Sequence, residues 1–215
     1  MLDSRCMHLA KQSGAGLWTL ILGLAVCLFV QLWSARMNAV PLNIPFSFSI
    51  GPTQTSEFKT LAAIPYDVQI AFDTTRLPLK ELDCLIGTNI PSVEPCSGQT
   101  PILNMEWKLT SNNQILARGS STEAARAAYS YHRATRYLGR FDSQAGRKYR
   151  LDLDVLQDAT RLAKADPRLE VVPFLDAYEG RLLLASLAFL LGSVGAFAGL
   201  FIILKSTLHK RRSPQ

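Results

Sequence analysis

The sequence predicts a mainly β protein, an antiparallel β-sandwich with one or two short inserted helices, flanked by two transmembrane α-helices. Three observations carry that reading. Leu182 to Leu204 is a run of 23 residues without a charge, bracketed by Arg181 and Lys205. Leu17 to Ala35 is a second uncharged run near the start. Between them, segments alternating apolar with polar residues recur, separated by Gly, Pro and Asn. A period of two marks strands with one buried face.

The later run sets the topology. As a helix it measures about 34 Å, enough to cross a hydrocarbon core of about 30 Å with some tilt. The tail behind it holds Lys205, His209, Lys210, Arg211 and Arg212 and no acid, and basic flanks stay on the cytoplasmic side. The expected organisation is a cytoplasmic segment 1–16, a first span 17–35, an extracytoplasmic domain 36–181, a second span 182–204 and a basic cytoplasmic tail 205–215. Both termini are then cytoplasmic. The net charge of +6 sits mostly in that tail, because the central region balances seventeen Lys/Arg against sixteen Asp/Glu. Such a distribution is a membrane-topology signal, and no nucleic-acid partner is expected.

In the first run, Trp18 and Trp33 stand about 22 Å apart along a helix, as interfacial aromatics do. The competing reading is a cleaved signal peptide, with Ala35 or Ala39 near the cut. The run is long for a signal, and Gln31-Leu32-Trp33 makes a poor cleavage region, so an uncleaved anchor is expected.

Phe46 to Ile50 alternates and reads as a strand. Tyr66, Val68, Ile70 and Phe72 alternate with Asp67, Gln69, Ala71 and Asp73, the pattern of a half-buried strand. Leu79 to Ile86 places Leu79, Leu82 and Ile86 on one helical face. Cys84 and Cys96, the one cysteine pair of the central region, flank a loop with Gly87, Pro91 and Pro95. They suit a disulfide in an oxidising compartment, with two unrelated thiols as the alternative. No third Cys or His nearby completes a zinc site. Leu103 to Leu109 and Ile115 to Arg118 form a hairpin around Ser111–Gln114. Ser120-Ser121-Thr122-Glu123 fits a capping box, with a short helix through Ala124, Ala125, Ala127 and Ala128 to about His132. Tyr137–Asp142 is a strand, and Tyr149, Leu151, Leu153 and Val155 point inward from the next. Gln157–Ala165 reads as a helix and Leu169–Val172 as a last strand. Phe174 and Tyr178 lie in a juxtamembrane connector.

The Gly146-x-x-Tyr149 step resembles the tyrosine corner of immunoglobulin-like sandwiches, in which the phenol bonds to a nearby backbone group. That likeness gives the sandwich its expected immunoglobulin-like character.

Chemistry-bearing patterns are few. His132 is the sole histidine of the central domain, and no nucleophile elbow, zinc-protease motif or phosphate loop occurs. Asp152, Asp154 and Asp158 lack the Gly and Glu of a calcium loop. No catalytic residue, metal or cofactor is expected. Arg118 to Arg150 holds eight bases against Glu123 and Asp142. Within it Arg126, Tyr129, Tyr131, Arg133, Arg136, Tyr137 and Arg140 form a candidate interaction patch, since Arg and Tyr are frequent interface anchors. The alternative is that these bases pair with acids elsewhere in the domain. In the second span Gly192, Gly195 and Gly199 share a face that lets another helix approach. Its partner is the first span, a second copy or another membrane protein.

The expected role is a non-catalytic protein-interaction module in the envelope, an accessory subunit or immunity-type factor. A domain binding lipid or glycan and a hydrolase without a recognisable motif are the alternatives. No asparagine begins a glycosylation sequon, which favours a bacterial inner membrane with the domain in the periplasm.

Overall fold

The computed structural model describes residues 3–87, 96, 100–123, 126–174, 176 and 179–212, with side chains from 14 to 208. Pro91, Pro95, Ala124, Ala125 and Tyr178, named above, lie outside the described residues. The chain divides into two units, residues 37–177 and the terminal segments 1–36 with 178–215.

Residues 37–177 form two antiparallel sheets. One is ordered β1 (Leu42–Pro45), β10 (Arg168–Pro173), β4 (Pro65–Asp73), β8 (Arg133–Asp142) and β7 (Ala127–Ser130). The other is ordered β2 (Gly51–Gln54), β9 (Lys148–Val155), β5 (Met105–Ser111) and β6 (Gln114–Ser120), with β3 (Phe58–Lys59) also on β9. Strand β9 buries Tyr149, Leu151, Leu153 and Val155 on one face, as its alternation predicts. Met105, Trp107 and Leu109 do the same on β5, and Val68, Ile70 and Phe72 on β4.

Trp107 ties the two sheets together. Its indole N–H donates to the Leu138 carbonyl of β8 at 2.9 Å. A Cβ placed on Gly139 would stand 2.2 Å from the ring's Cζ2, and one on Gly119 2.9 Å from its Nε1. Both neighbours are therefore glycine because the indole occupies the space a side chain needs. Phe141 and Tyr149 meet between the sheets with ring centroids 5.3 Å apart. The Tyr149 hydroxyl accepts the Gln144 backbone N–H at 2.8 Å, the bond the Gly146-x-x-Tyr149 step anticipates.

The hairpin between β5 and β6 turns at Asn112 and Asn113, with φ of 50° and 62°. Positive φ at both central residues is the type I′ requirement that asparagine meets. Helix α2 (Leu79–Ile86) buries Leu82, Leu85 and Ile86 and closes on Gly87, whose φ of 73° suits glycine. The sulfurs of Cys84 and Cys96 stand at bonding distance, 2.01 Å. Reduction should lower the domain's stability by about 3 kcal/mol on the chain-entropy account. Urea unfolding with and without dithiothreitol measures this, and a Cys84→Ser/Cys96→Ser variant should not respond to the reductant.

Four local expectations are corrected. Phe46 to Ile50 is not a strand: Pro45 ends β1, Phe46 N–H turns to the Pro167 carbonyl, and the chain joins the second sheet at Gly51. Phe46 and Phe48 are nonetheless both buried, so their alternation reports burial and not a ladder. Ser120–Glu123 does not start a helix. The Ser120 hydroxyl accepts the Thr122 N–H and Glu123 N–H bonds the Ser120 carbonyl, closing a turn, and Ala127 and Ala128 lie in strand β7. Residues 157–159 are not helical, and a 3-10 turn spans Thr160–Ala165 only. Strand β4 is buried on both faces, Asp67 and Gln69 included, because it is central in its sheet and covered outside by side chains described below.

In the terminal unit, α1 (Asp3–Met37) and α3 (Glu179–Arg212) contain stretches of 24 and 30 residues long and apolar enough to cross a membrane. They pack antiparallel. Gly16, Gly23, Gly192 and Gly199 are the buried positions among their described side chains. A Cβ on Gly23 would meet Ala196 N and Gly192 O at 2.5 Å, and one on Gly199 would meet Leu20 N at 2.5 Å. The backbones touch where each helix has glycine.

Candidate functional site

The residues of the Arg/Tyr patch come together on β7 and β8, but they do not form one surface. Strand β8 pairs with β4 through a bulge, because Val68 faces Gly139 whereas Gln69 faces Tyr137. The extra residue, Leu138, shifts the alternation. Arg133, Tyr137 and Arg140 consequently share the outer face, along with Thr135. Arg136 points the other way. It is 5% exposed and donates to the carbonyls of Ser121 at 2.7 Å and Gly87 at 3.4 Å. Arg136 is therefore removed from the patch, since it fastens the end of α2 and the β6–β7 turn to the core. Burial pulls its pKa below the usual arginine value, although an arginine stays charged at physiological pH.

The outer-face arginines are paired within the domain. Arg140 donates to the Asp67 carboxylate through Nε at 2.7 Å, and its guanidinium lies 3.1 Å from the centre of the Phe174 ring. Arg133 pairs with Glu170, which also accepts from Gln69 at 2.9 Å. Arg126 lies 3.7 Å from Asp176 and 5.5 Å from the Tyr137 ring centre. Asp67, Gln69, Thr135 and Glu170 are thus buried beneath these longer side chains. This arrangement is the alternative raised for the basic stretch, bases matched by acids from β4, β10 and the chain after β10. Burial and the nearby Asp67 charge push the Tyr137 phenol above its usual pKa. The pairing acids do not show in the sequence, since Asp67 lies 73 residues from Arg140 and Glu170 37 from Arg133, and only strand order brings each acid beneath its arginine.

The two remaining tyrosines differ. Tyr129 donates to the buried Asp83 carboxylate of α2 at 2.8 Å. Tyr131 is 91% exposed at the β7–β8 turn, its ring edge-on to His132 with centroids 4.3 Å apart. The Thr74 N–H bonds the His132 carbonyl, so the tip is anchored to the loop after β4.

The outer face of the second sheet carries a shallow groove of about 600 Å³ lined by Glu106, Lys108, Arg118, Asp152 and Asp154 among others. Among the described residues no three His, Cys, Asp or Glu side chains converge in a metal-binding group.

In the helix pair, Gly192 and Gly199 face α1 of the same chain, whereas Gly195 is only in ordinary contact, 3.9 Å from the Gly23 Cα. Their counterparts Gly16 and Gly23 were missed. The seven-residue spacing of each glycine pair was the available signal.

No family model matches the chain, and no curated protein matches it either. Among solved structures, a crystal structure of a Sulfurospirillum deleyianum protein is similar at 12% identity and a TM-score of 0.42, over 62% of this chain and 97% of that one. A likeness at that level carries no argument about fold or function.

Proposed function

We propose that this chain is a two-span membrane protein of a bacterial inner membrane, whose immunoglobulin-like sandwich stands in the periplasm as a non-catalytic protein-interaction module. The observation that carries the interaction reading is Tyr131, a large aromatic 91% exposed on an anchored turn. Exposed aromatics held in a fixed geometry lose little entropy on binding and are frequent interface anchors. The interior supports a packed domain in preference to a ligand cavity: Tyr66, Val68, Ile70, Trp107, Tyr149 and Leu151 are each 3% exposed or less. The helix lengths, the apolar exposed positions and the basic tail support two crossings with both ends inside.

Affinity purification of the full-length protein in mild detergent, followed by mass spectrometry, tests the reading. A stoichiometric envelope protein should accompany the wild type. Recovery should fall about tenfold with Tyr131→Ala, and the melting temperature should not change. A protein that purifies without a protein partner contradicts the proposal.

A further inference from the structure

We propose that the helix pair holds an anionic phospholipid, its phosphate on Arg181 and one acyl chain in an apolar groove between α1 and α3. The inference rests on the reading that these helices cross a membrane. The groove is open, has a volume of about 510 Å³ and is lined by Val26, Phe29 and Trp33 of α1 and Arg181, Ala185 and Ala188 of α3, among others. Its walls are apolar apart from Arg181. The small side chains of Ala185 and Ala188 keep it open, while Phe29, 69% exposed, forms a flank.

Arg181 decides the occupant. It lines the groove at the end where Trp33 lies, the tryptophan expected at headgroup level. It makes no ion pair among the described residues; Glu179, two residues earlier, does not line the groove, and Arg36 follows Trp33 by one helical turn. An apolar slot in a bilayer is filled by an acyl chain or by another helix. A helix leaves the guanidinium unmatched, whereas a phospholipid brings a phosphate that accepts its paired N–H donors. A zwitterionic headgroup carries an ammonium that offsets its phosphate charge and competes with the guanidinium for it, so an anionic headgroup is favoured.

The test uses the full-length protein with Trp18→Phe, reconstituted in phosphatidylcholine vesicles, with the Trp107 signal subtracted through a Trp18→Phe/Trp33→Phe control. Phosphatidylglycerol brominated on its acyl chains quenches Trp33 on contact, and brominated phosphatidylcholine is the comparison. Half-quenching should need about fivefold less brominated phosphatidylglycerol, the preference expected of one arginine. Arg181→Gln should abolish that preference, and so should Ala188→Phe, which fills the groove and leaves the charge. Equal quenching by both lipids overturns the proposal and leaves the crossing helices standing. Weak quenching that recovers only on dilution into excess lipid means a second copy fills the groove, which also overturns it. Absence of quenching by either lipid removes the membrane-crossing reading itself.

Discussion

Replacing Gly139 with alanine should destabilise the β domain by about 3 kcal/mol, the upper end of what overpacking does. The added methyl would stand 2.2 Å from Cζ2 of Trp107, well inside any van der Waals contact. In most cores a neighbour yields by a few tenths of an ångström. Here the indole has no such freedom. Its N–H is bonded to the Leu138 carbonyl, and Gly119 lies against it as well, where a Cβ would come within 2.9 Å. Moving the ring breaks a buried hydrogen bond and separates β5 from β8. Urea unfolding followed by near-ultraviolet circular dichroism reads the loss. Trp107→Leu alone should also destabilise, by roughly 3 kcal/mol as a cavity forms. In the Gly139→Ala/Trp107→Leu double variant the methyl enters that vacated space, and its loss should be smaller than the sum of the two single losses. Full additivity would show that the two residues do not press on each other.

The second large effect concerns the buried carboxylate on the outer face of the first sheet. The Glu170 side chain is 2% exposed, whereas that of its partner Arg133 is 46% exposed. Removing the two partners therefore has unequal consequences. Arg133→Ala leaves a buried carboxylate with the Gln69 amide as donor at 2.9 Å, and should destabilise by about 3 kcal/mol. Glu170→Gln leaves a guanidinium that already reaches water, and should destabilise by about 1 kcal/mol. Thermal or urea unfolding of both variants gives the comparison. Equal losses would mean that the pair behaves as an exposed surface bridge.

Much of the β domain was legible because its signals are local. The period of two on β9 depends on one buried face, and the two asparagines of the β5–β6 hairpin depend only on turn geometry. The uncharged stretches of α1 and α3 were equally plain. What was hidden depends on the strands' neighbours. Alternation on β4 shows which residues face the core, but Asp67 and Gln69 become buried only because Arg140, Tyr137 and Arg133 lie over them. The bulge at Leu138 puts Tyr137 and Arg140 on one face, although simple alternation separates residues three apart. Arg136 looked like its basic neighbours, and only the inward phase of β8 distinguishes it. At Ser120–Glu123 the hydroxyl-to-backbone bonds that begin a helix also close a turn. Pairing of β7 with β8 then overrides the helical preference of the alanines.

The proposed topology puts the β domain and the basic tail on opposite sides of a membrane. The most direct measurement labels single cysteines in intact cells with a membrane-impermeant maleimide, in a Cys6→Ala/Cys27→Ala background with the Cys84–Cys96 pair retained. Ser130→Cys, at the exposed end of β7, should react in intact cells. Ser213→Cys, in the tail, should react only after lysis. Reaction of both in intact cells, or of neither before lysis, would contradict the account.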